Sequence, residues 1–192
     1  MTALPDWMVR SGEGLTVADY EALPEEVSRQ IEILDGTVKV SPSPSRAHQR
    51  ITRRLANALE NAFEAADPNG LAVDFDVDLR LRDVPLLLRR PDVVVFDASL
   101  PGDEVLRPDH CLLVVEVMSP GSTTADRMDK PTEYAASGIE HFWRVEHDDQ
   151  VINVFRYQLD PMTRTYALVG LDKGKLVIND PVELVLDLET LR

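Results

Sequence analysis

Two short apolar runs constrain the fold of this chain more than any other feature. Residues 91–96 read PDVVVF and residues 112–118 read LLVVEVM, and neither run alternates with polar residues. A strand that is apolar on both faces must be covered on both faces, as in the centre of an α/β sheet. Each run carries one acid, and burying a carboxylate is costly unless a partner compensates its charge. We therefore expect Asp92 and Glu116 on central strands, each with a partner.

Helix and strand patterns alternate along the rest of the chain. The Asp35-Gly36 pair between apolar alternations predicts a β-hairpin. An apolar stripe at helical spacing predicts a helix over 46–66. The other expected elements are a Thr16-capped helix at 17–23, an alternating half-buried strand at 72–81, a helix at 126–137 ended by Gly138, a hairpin of 139–145 and 151–157, and strands at 164–169 and 175–178. This order predicts one α/β domain over 1–192, a mixed β-sheet flanked by helices with N-terminal and C-terminal β-hairpins.

The composition excludes several classes of protein. No apolar run approaches the 18 residues of a membrane span. The N-terminus lacks the pattern of a signal peptide, so we expect a cytoplasmic protein with no membrane partner. Cys111 is the single cysteine, which excludes an intramolecular disulfide and a CxxC zinc site. Because an apolar run follows it, Cys111 is expected to be a buried, inert thiol; the alternative is a reactive nucleophile.

The net charge of −14 argues against broad attraction to nucleic acid or anionic membrane. The charge is unevenly spread, however. Residues 46–90 hold 8 of the 20 basic residues and 7 of the 34 acidic ones, so this segment is near +1 and the rest is near −15. The segment forms either a local basic face on an acidic body or an ordinary solvated helix face.

Asp92, Glu116 and Lys130 form the candidate site. Asp92 opens its strand directly after Pro91, a position at which a side chain is both fixed and reachable. Two carboxylates on neighbouring strands can share a Mg²⁺ ion with a substrate phosphate. A lysine nearby can position the attacking water or offset charge in the transition state of phosphodiester cleavage. The alternatives are a Glu116 that faces solvent from an edge strand and a Lys130 on a helix surface, paired with Asp126.

Other polar residues are weaker candidates. Glu32 alternates with two isoleucines, which favours a solvated face, but it could supply a third oxygen ligand. His48, near the start of the long helix, could contact a phosphate or act as a base, or be only a polar residue of the first turn. Asp74, Asp76 and Asp78 suggest a cation site, yet their strict alternation favours a solvated strand face.

With these residues in hand, the chain resembles the Uma-type endonucleases, formerly a domain of unknown function, of the restriction-endonuclease-like PD-(D/E)XK superfamily. The resemblance covers about 15–155. The matching text is EILDG at 32–36, SPSP at 41–44 with His48, RPDVVV at 90–95, VEVMSPGS at 115–122, Asp126-Arg127, Lys130-Pro131, Tyr134, Gly138 and Phe142-Trp143. The order and spacing of the whole set make the signal specific.

The resemblance implies a metal-dependent nuclease core that uses Mg²⁺ or Mn²⁺. Asp92 would be the PD acid and Glu116 the (D/E) acid, while Glu32 would be an additional ligand. Met118 stands where the superfamily lysine is expected, so the resemblance implies a migrated lysine, Lys130. Pro131 favours a helix that starts at Lys130, an alternative to one that starts near 126.

DNA is the implied substrate of such a nuclease. The stretch 46–54 would contact the phosphate backbone through His48, Arg50, Arg53 and Arg54. A homodimer is expected by analogy with restriction nucleases, which pair to cut both strands.

Two competing hypotheses remain from the sequence. A noncatalytic module that keeps the fold and binds a protein or nucleic acid is consistent with the missing lysine and the charge of −14. A hydrolase of another class is weaker, because no GxSxG, HExxH, GxxxxGK[ST] or GxGxxG motif occurs in the chain.

Overall fold

A computed structural model describes residues 14–41, 43–67, 70–118, 124–148 and 151–192, with no side-chain description at 124–126. The strands are β1 (Ile31–Leu34), β2 (Thr37–Val40), β3 (Leu71–Phe75), β4 (Leu79–Arg82), β5 (Leu87–Arg89), β6 (Val93–Asp97), β7 (Cys111–Met118), β8 (His141–His147), β9 (Ile152–Asp160), β10 (Thr165–Lys173), β11 (Lys175–Ile178) and β12 (Leu184–Asp187). The α-helices are α1 (Val17–Glu21), α2 (Glu25–Ser28), α3 (Arg46–Ala66) and α4 (Thr124–Ser137), and short 3₁₀ helices cover Pro108–His110 and Leu188–Leu191.

The largest sheet is mixed and has six strands in the order β10-β9-β8-β7-β6-β3. Strands β7 and β8 are parallel, joined by α4, and every other neighbouring pair is antiparallel. The two apolar runs of the sequence are the central strands β6 and β7, as predicted. The mixed α/β architecture is therefore confirmed.

Helices cover both faces of the central strands, which explains why these strands are apolar throughout. Ile51, Leu55 and Leu59 of α3 pack in one core cluster with Val93 and Val115. On the opposite face, a second cluster joins Val94 and Val114 to Tyr134 of α4 and Phe142 of β8. The two helices thus meet the sheet from opposite sides, and each can bring side chains to the ends of β6 and β7.

A second sheet has the order β2-β1-β5-β4. Its predicted hairpin is present: Asp35 and Gly36 both have positive φ, 50° and 80°, as a tight turn between two strands requires. Thr16 caps α1, as expected from the sequence: its side chain accepts the Asp19 N–H, and its own N–H donates to the Asp19 carboxylate. Helices α1 and α2 cover Ile31 and Ile33 on one face of β1. The other face of β1, which carries Glu32, faces α4 and the main sheet.

Two strand predictions are wrong. The alternating stretch 72–81 is not one strand but two, β3 and β4, which lie in different sheets because the chain turns at Asp76 with φ of 56°. Strand β11 does not complete the main sheet; it pairs with β12 in a separate hairpin. The predicted alternation of 72–81 also fails, because Phe75 is 49% exposed and Arg80 is 5% exposed.

The interpretation of Pro131 as a helix start is also wrong. Helix α4 begins at Thr124, and Pro131 lies inside it. The alternative helix over 126–137 matches the structure closely, and Gly138 follows it with φ of 90°. Lys130 therefore lies within a helix that packs over the sheet, rather than at the start of that helix.

Cys111 is buried, as predicted, and its Sγ donates to the Arg107 carbonyl at 3.2 Å. Burial, with a smaller effect of Asp109, raises the pKa of the thiol to about 12. A thiolate is the reactive form, so we expect labelling with a thiol reagent at pH 8 to be about 100-fold slower in the native chain than in urea. Comparable rates in the two states would contradict the burial of this residue.

Candidate active site

Asp92 lies at the start of β6, where it contacts both the next strand and α3. One carboxylate oxygen, Oδ2, accepts the backbone N–H of Val117 at 2.7 Å, which fixes the side chain against β7. The other, Oδ1, is 2.7 Å from Nε2 of His48. His48 stands in the first turn of α3, whose Ser45 cap accepts the His48 N–H. The helix therefore brings an imidazole to the end of the central strands.

Glu116 is buried in the middle of β7, with only 5% of the residue exposed. Lys130 Nζ lies 3.0 Å from both carboxylate oxygens, and the Tyr134 hydroxyl donates to Oε1 at 2.7 Å. Lys130 and Tyr134 are four residues apart on α4, so the same helix face presents both. This arrangement excludes two alternatives that the sequence left open, a Glu116 that faces solvent from an edge strand and a Lys130 on a helix surface. The Asp126 partner of that second alternative lies outside the described side chains.

Glu32 belongs to the same cluster and, like Glu116, is buried, with 3% of the residue exposed. It comes from β1 of the second sheet, and its Oε1 is 3.0 Å from Lys130 Nζ. It also accepts Arg89 Nη1 at 3.1 Å and the Arg90 backbone N–H at 3.2 Å. The alternation favoured a solvated position for Glu32. That prediction is wrong, because the polar face of β1 points at α4 and the main sheet.

Arg89 completes the buried network. Its guanidinium, 1% exposed, contacts Glu32 on one side and donates two bonds, of 2.6 and 2.7 Å, to the Glu133 carboxylate of α4. A planar guanidinium matches two carboxylate oxygens in this bidentate geometry. Burial lowers the pKa of Arg89, but the bonds to Glu133 and the charge of Glu32 outweigh it and raise the pKa. The arginine is therefore a permanent charge between the two acids.

The charges of the cluster shift the pKa values of its members. Burial raises the pKa of Glu116 to about 7, with Asp92 and Glu32 adding to the rise and Lys130 opposing it. Burial alone would lower the pKa of Lys130, yet the carboxylates around it, led by Glu116, raise it. The pKa of Glu32 is lowered, because Lys130 and Arg89 outweigh its burial. Burial opposes a charged His48, but the bond to Asp92 raises its pKa.

The donor set fits a hard cation by its chemistry. Four carboxylates (Glu32, Asp92, Glu116 and Glu133) face only two permanent cations, Lys130 and Arg89, with His48 as a third when protonated. The residual charge is negative, and carboxylate oxygens are the ligands that Mg²⁺ and Mn²⁺ prefer. In the ranges described, no three His, Cys, Asp or Glu side chains are grouped as a metal ligand set. A cation here would therefore draw on Asp92 and Glu116, with oxygens of the substrate or water.

The arginines of α3 lie away from this cluster. Arg46, Arg50 and Arg53 recur at the spacing of one helix face, opposite the buried stripe that continues to His48. Arg50 and Arg53 are exposed, while Arg54 donates to the Thr190 carbonyl at 2.7 Å. Of the four residues assigned to the phosphate backbone, the structure thus brings His48 alone to the acids.

Of the aspartates at 74, 76 and 78, the latter two already pair with another cation. Arg90 donates to Asp76 at 2.7 Å and to Asp78 at 2.8 Å, and the Tyr20 hydroxyl also donates to Asp78. A cavity of about 520 Å³ lies nearby, lined among others by Asp74, Arg80 and Phe96. None of the acids around Lys130 lines it.

The sequence interpretation missed Tyr134, Arg89 and Glu133 as parts of the site. A signal existed for Tyr134, since it follows Lys130 by four residues on an amphipathic helix. No comparable signal existed for Arg89 and Glu133, which are 44 residues apart and meet only through the packing of α4 on β5.

The fold and the acid-lysine cluster define a restriction-endonuclease-like α/β protein. The chain belongs to the Uma2 family, whose model, described as "Putative restriction endonuclease", matches residues 17–189. A crystal structure of a putative nuclease belonging to DUF820 from Anabaena variabilis is similar over 92% of this chain and 97% of that one, with a TM-score of 0.66 and 16% identity. At that identity the likeness supports the fold alone. No curated protein matches the chain.

Within the described ranges of the chain, no helix combines the length and the apolar character that a membrane crossing requires.

Proposed function

We propose that the protein is a metal-dependent endonuclease that hydrolyses phosphodiester bonds in DNA. One observation carries the proposal: Glu116, on the strand beside the one that Asp92 precedes, contacts a buried lysine supplied by the following helix. Burying Glu32 and Glu116 together with Lys130 and Arg89 is costly for a purely structural core, even though these charges are paired. Such a cost is typical of sites whose charges are used in chemistry.

Asp92 and Glu116 would hold Mg²⁺ or Mn²⁺, with Glu32 as the candidate third ligand. The bound ion would supply Lewis-acid polarisation of the phosphodiester and activation of water. His48 holds Asp92 in place through Nε2, and the Val117 N–H fixes the other oxygen. These two bonds limit the carboxylate to one orientation, which favours a preformed ligand geometry.

Lys130 takes the place of the lysine missing at position 118. Its ammonium carries three protons and contacts Glu116 and Glu32. Because the raised pKa keeps it charged, Lys130 would act as an electrostatic partner of the phosphate rather than as a base. It would stabilise the negative charge that develops on the phosphoryl oxygens during attack.

The proposal predicts that activity depends on all three residues. With Mg²⁺ or Mn²⁺, the parent chain should cut supercoiled plasmid or single-stranded DNA. Asp92→Asn, Glu116→Gln and Lys130→Met should each lose at least about tenfold in rate, or 1.4 kcal/mol of barrier. Arg156→Gln, which removes a charge from the opposite face of the sheet, is the matched control and should keep full activity. Loss in the acid variants alone would reduce Lys130 to a structural role.

Metal binding separates the nuclease from the noncatalytic module. The nuclease predicts that Mn²⁺ raises the Tm of the parent chain and that Asp92→Asn and Glu116→Gln abolish the rise. A module without metal would show no shift in any of the three proteins. No cutting together with no shift would reject the nuclease.

Cutting both strands of a duplex calls for two sites, so we also propose a cytoplasmic homodimer of single-domain protomers. Light scattering of the parent chain with and without DNA would measure the oligomeric state. A strictly monomeric protein that makes double-strand breaks would contradict the dimer.

A further inference from the structure

Next to Glu116 on the main sheet stands an arginine that the proposed chemistry does not use. Arg144 of β8 is the parallel-strand partner of Glu116, so both side chains leave the same face of the sheet about 5 Å apart. The Arg144 guanidinium lies over the ring of Phe155, 4.6 Å from its centroid, and 5.7 Å from that of Tyr157. Aromatic rings on the next strand therefore hold this cation in a fixed position.

A second arginine converges on the same place from α4. Arg127 Nη1 is 3.3 Å from Glu146 Oε1, and Arg144 Nε is 3.1 Å from that oxygen. Arg127 precedes Lys130 by three residues, so it shares a helix face with the lysine of the site. Two guanidinium groups thus share one carboxylate, and the group keeps a net positive charge within an acidic protein.

The ion pair between Arg144 and Glu146 lacks the geometry of a hydrogen bond. Its Nε is buried and makes no hydrogen bond of acceptable geometry with Glu146, despite the short separation. Both partners remain partly exposed, at 21% for Arg144 and 25% for Glu146. A phosphate, with several acceptor oxygens, would satisfy a guanidinium better than this carboxylate does.

We propose that Arg144 and Arg127 form a phosphate-binding subsite for the DNA backbone, beside the phosphodiester that is cut. The inference rests on the proposed function, because the position of the scissile phosphate is set by Asp92 and Glu116. Glu146 occupies the subsite in the free protein and competes with the phosphate for both arginines. The subsite also accounts for how an acidic chain contacts DNA although the exposed arginines of α3 face away from the acids.

The test measures binding of short labelled DNA, duplex and single-stranded, to the full chain in EDTA, by fluorescence anisotropy. Arg144→Gln and Arg127→Gln should each weaken binding about 5- to 10-fold and lower the salt slope by about one. Glu146→Gln should tighten binding, because it removes the competing carboxylate. Tm values of all variants would show that each protein is folded.

Arg156→Gln is the matched control, since Arg156 follows Phe155 on β9 but points to the other face and pairs with Asp172 at 2.8 Å. It should bind DNA as the parent does. If the parent binds or cuts DNA and the Arg144 and Arg127 variants match Arg156→Gln, the subsite is wrong and the proposed function stands. If the parent neither binds nor cuts, both proposals fall. A Glu146→Gln protein with weakened binding would likewise overturn the subsite.

Discussion

An Arg89→Met variant is expected to lose about 3–5 kcal/mol of unfolding free energy, because it leaves the half-buried Glu133 without its bidentate partner and the buried Glu32 with Lys130 alone. Arg89 is 1% exposed and is the shared partner of Glu32 and Glu133. Methionine preserves much of the side-chain volume, so the loss would report charge rather than a cavity. Urea denaturation followed by circular dichroism would measure it.

Arg82→Met is the control for this prediction. Arg82 also pairs with an acid, Asp35, but is 46% exposed on the surface of the second sheet. Removing an exposed pair should cost at most about 1 kcal/mol. An Arg89→Met protein no less stable than Arg82→Met would show that water reaches and compensates the buried acids.

Lys130→Met is expected to have an effect of the same size, about 3–5 kcal/mol, since it strips the ammonium from two acids at once. Glu116 would then lie buried beside Asp92 and Glu32 with Tyr134 as its remaining donor. The variant should therefore unfold at a lower urea concentration than the parent chain, with an unchanged m-value.

The double variant Lys130→Met/Glu116→Gln distinguishes charge from packing. Replacing Glu116 by its neutral amide removes the acid that loses most when the lysine is gone. We expect the double variant to be more stable than Lys130→Met alone, so that the two effects are strongly non-additive. Additive losses would mean that Lys130 and Glu116 do not interact in solution.

The sequence was sufficient for the central strands and for the two acids on them. Apolar strands without alternation require coverage on both faces of a sheet, and helices α3 and α4 supply it. The site acids followed from the same reasoning, because an acid within such a run needs a partner. Lys130 was a candidate from its position in the chain, but a lysine on a helix is ordinarily a surface residue, and only the packing of α4 on the sheet places it against Glu116.

Glu32 shows what a local sequence pattern does not determine. Alternation in β1 correctly separates Ile31 and Ile33 from Glu32, but it does not say what covers each face. Helices α1 and α2 cover the isoleucines, and Lys130 and Arg89 cover the glutamate. Which face meets solvent depends on how the two sheets dock, and that arrangement is set by contacts far apart in sequence.

The ammonium of Lys130 contacts Glu32 of the four-stranded second sheet and Glu116 of the six-stranded main sheet at the same time. One side chain thus ties together two layers that the chain builds from separate segments. A slide of one layer against the other would break an ion pair before it exposed much of the core. Mild denaturant should therefore break both Lys130 ion pairs and separate the second sheet from the main sheet in a single step, so that a partly assembled chain would lack the proposed nuclease centre.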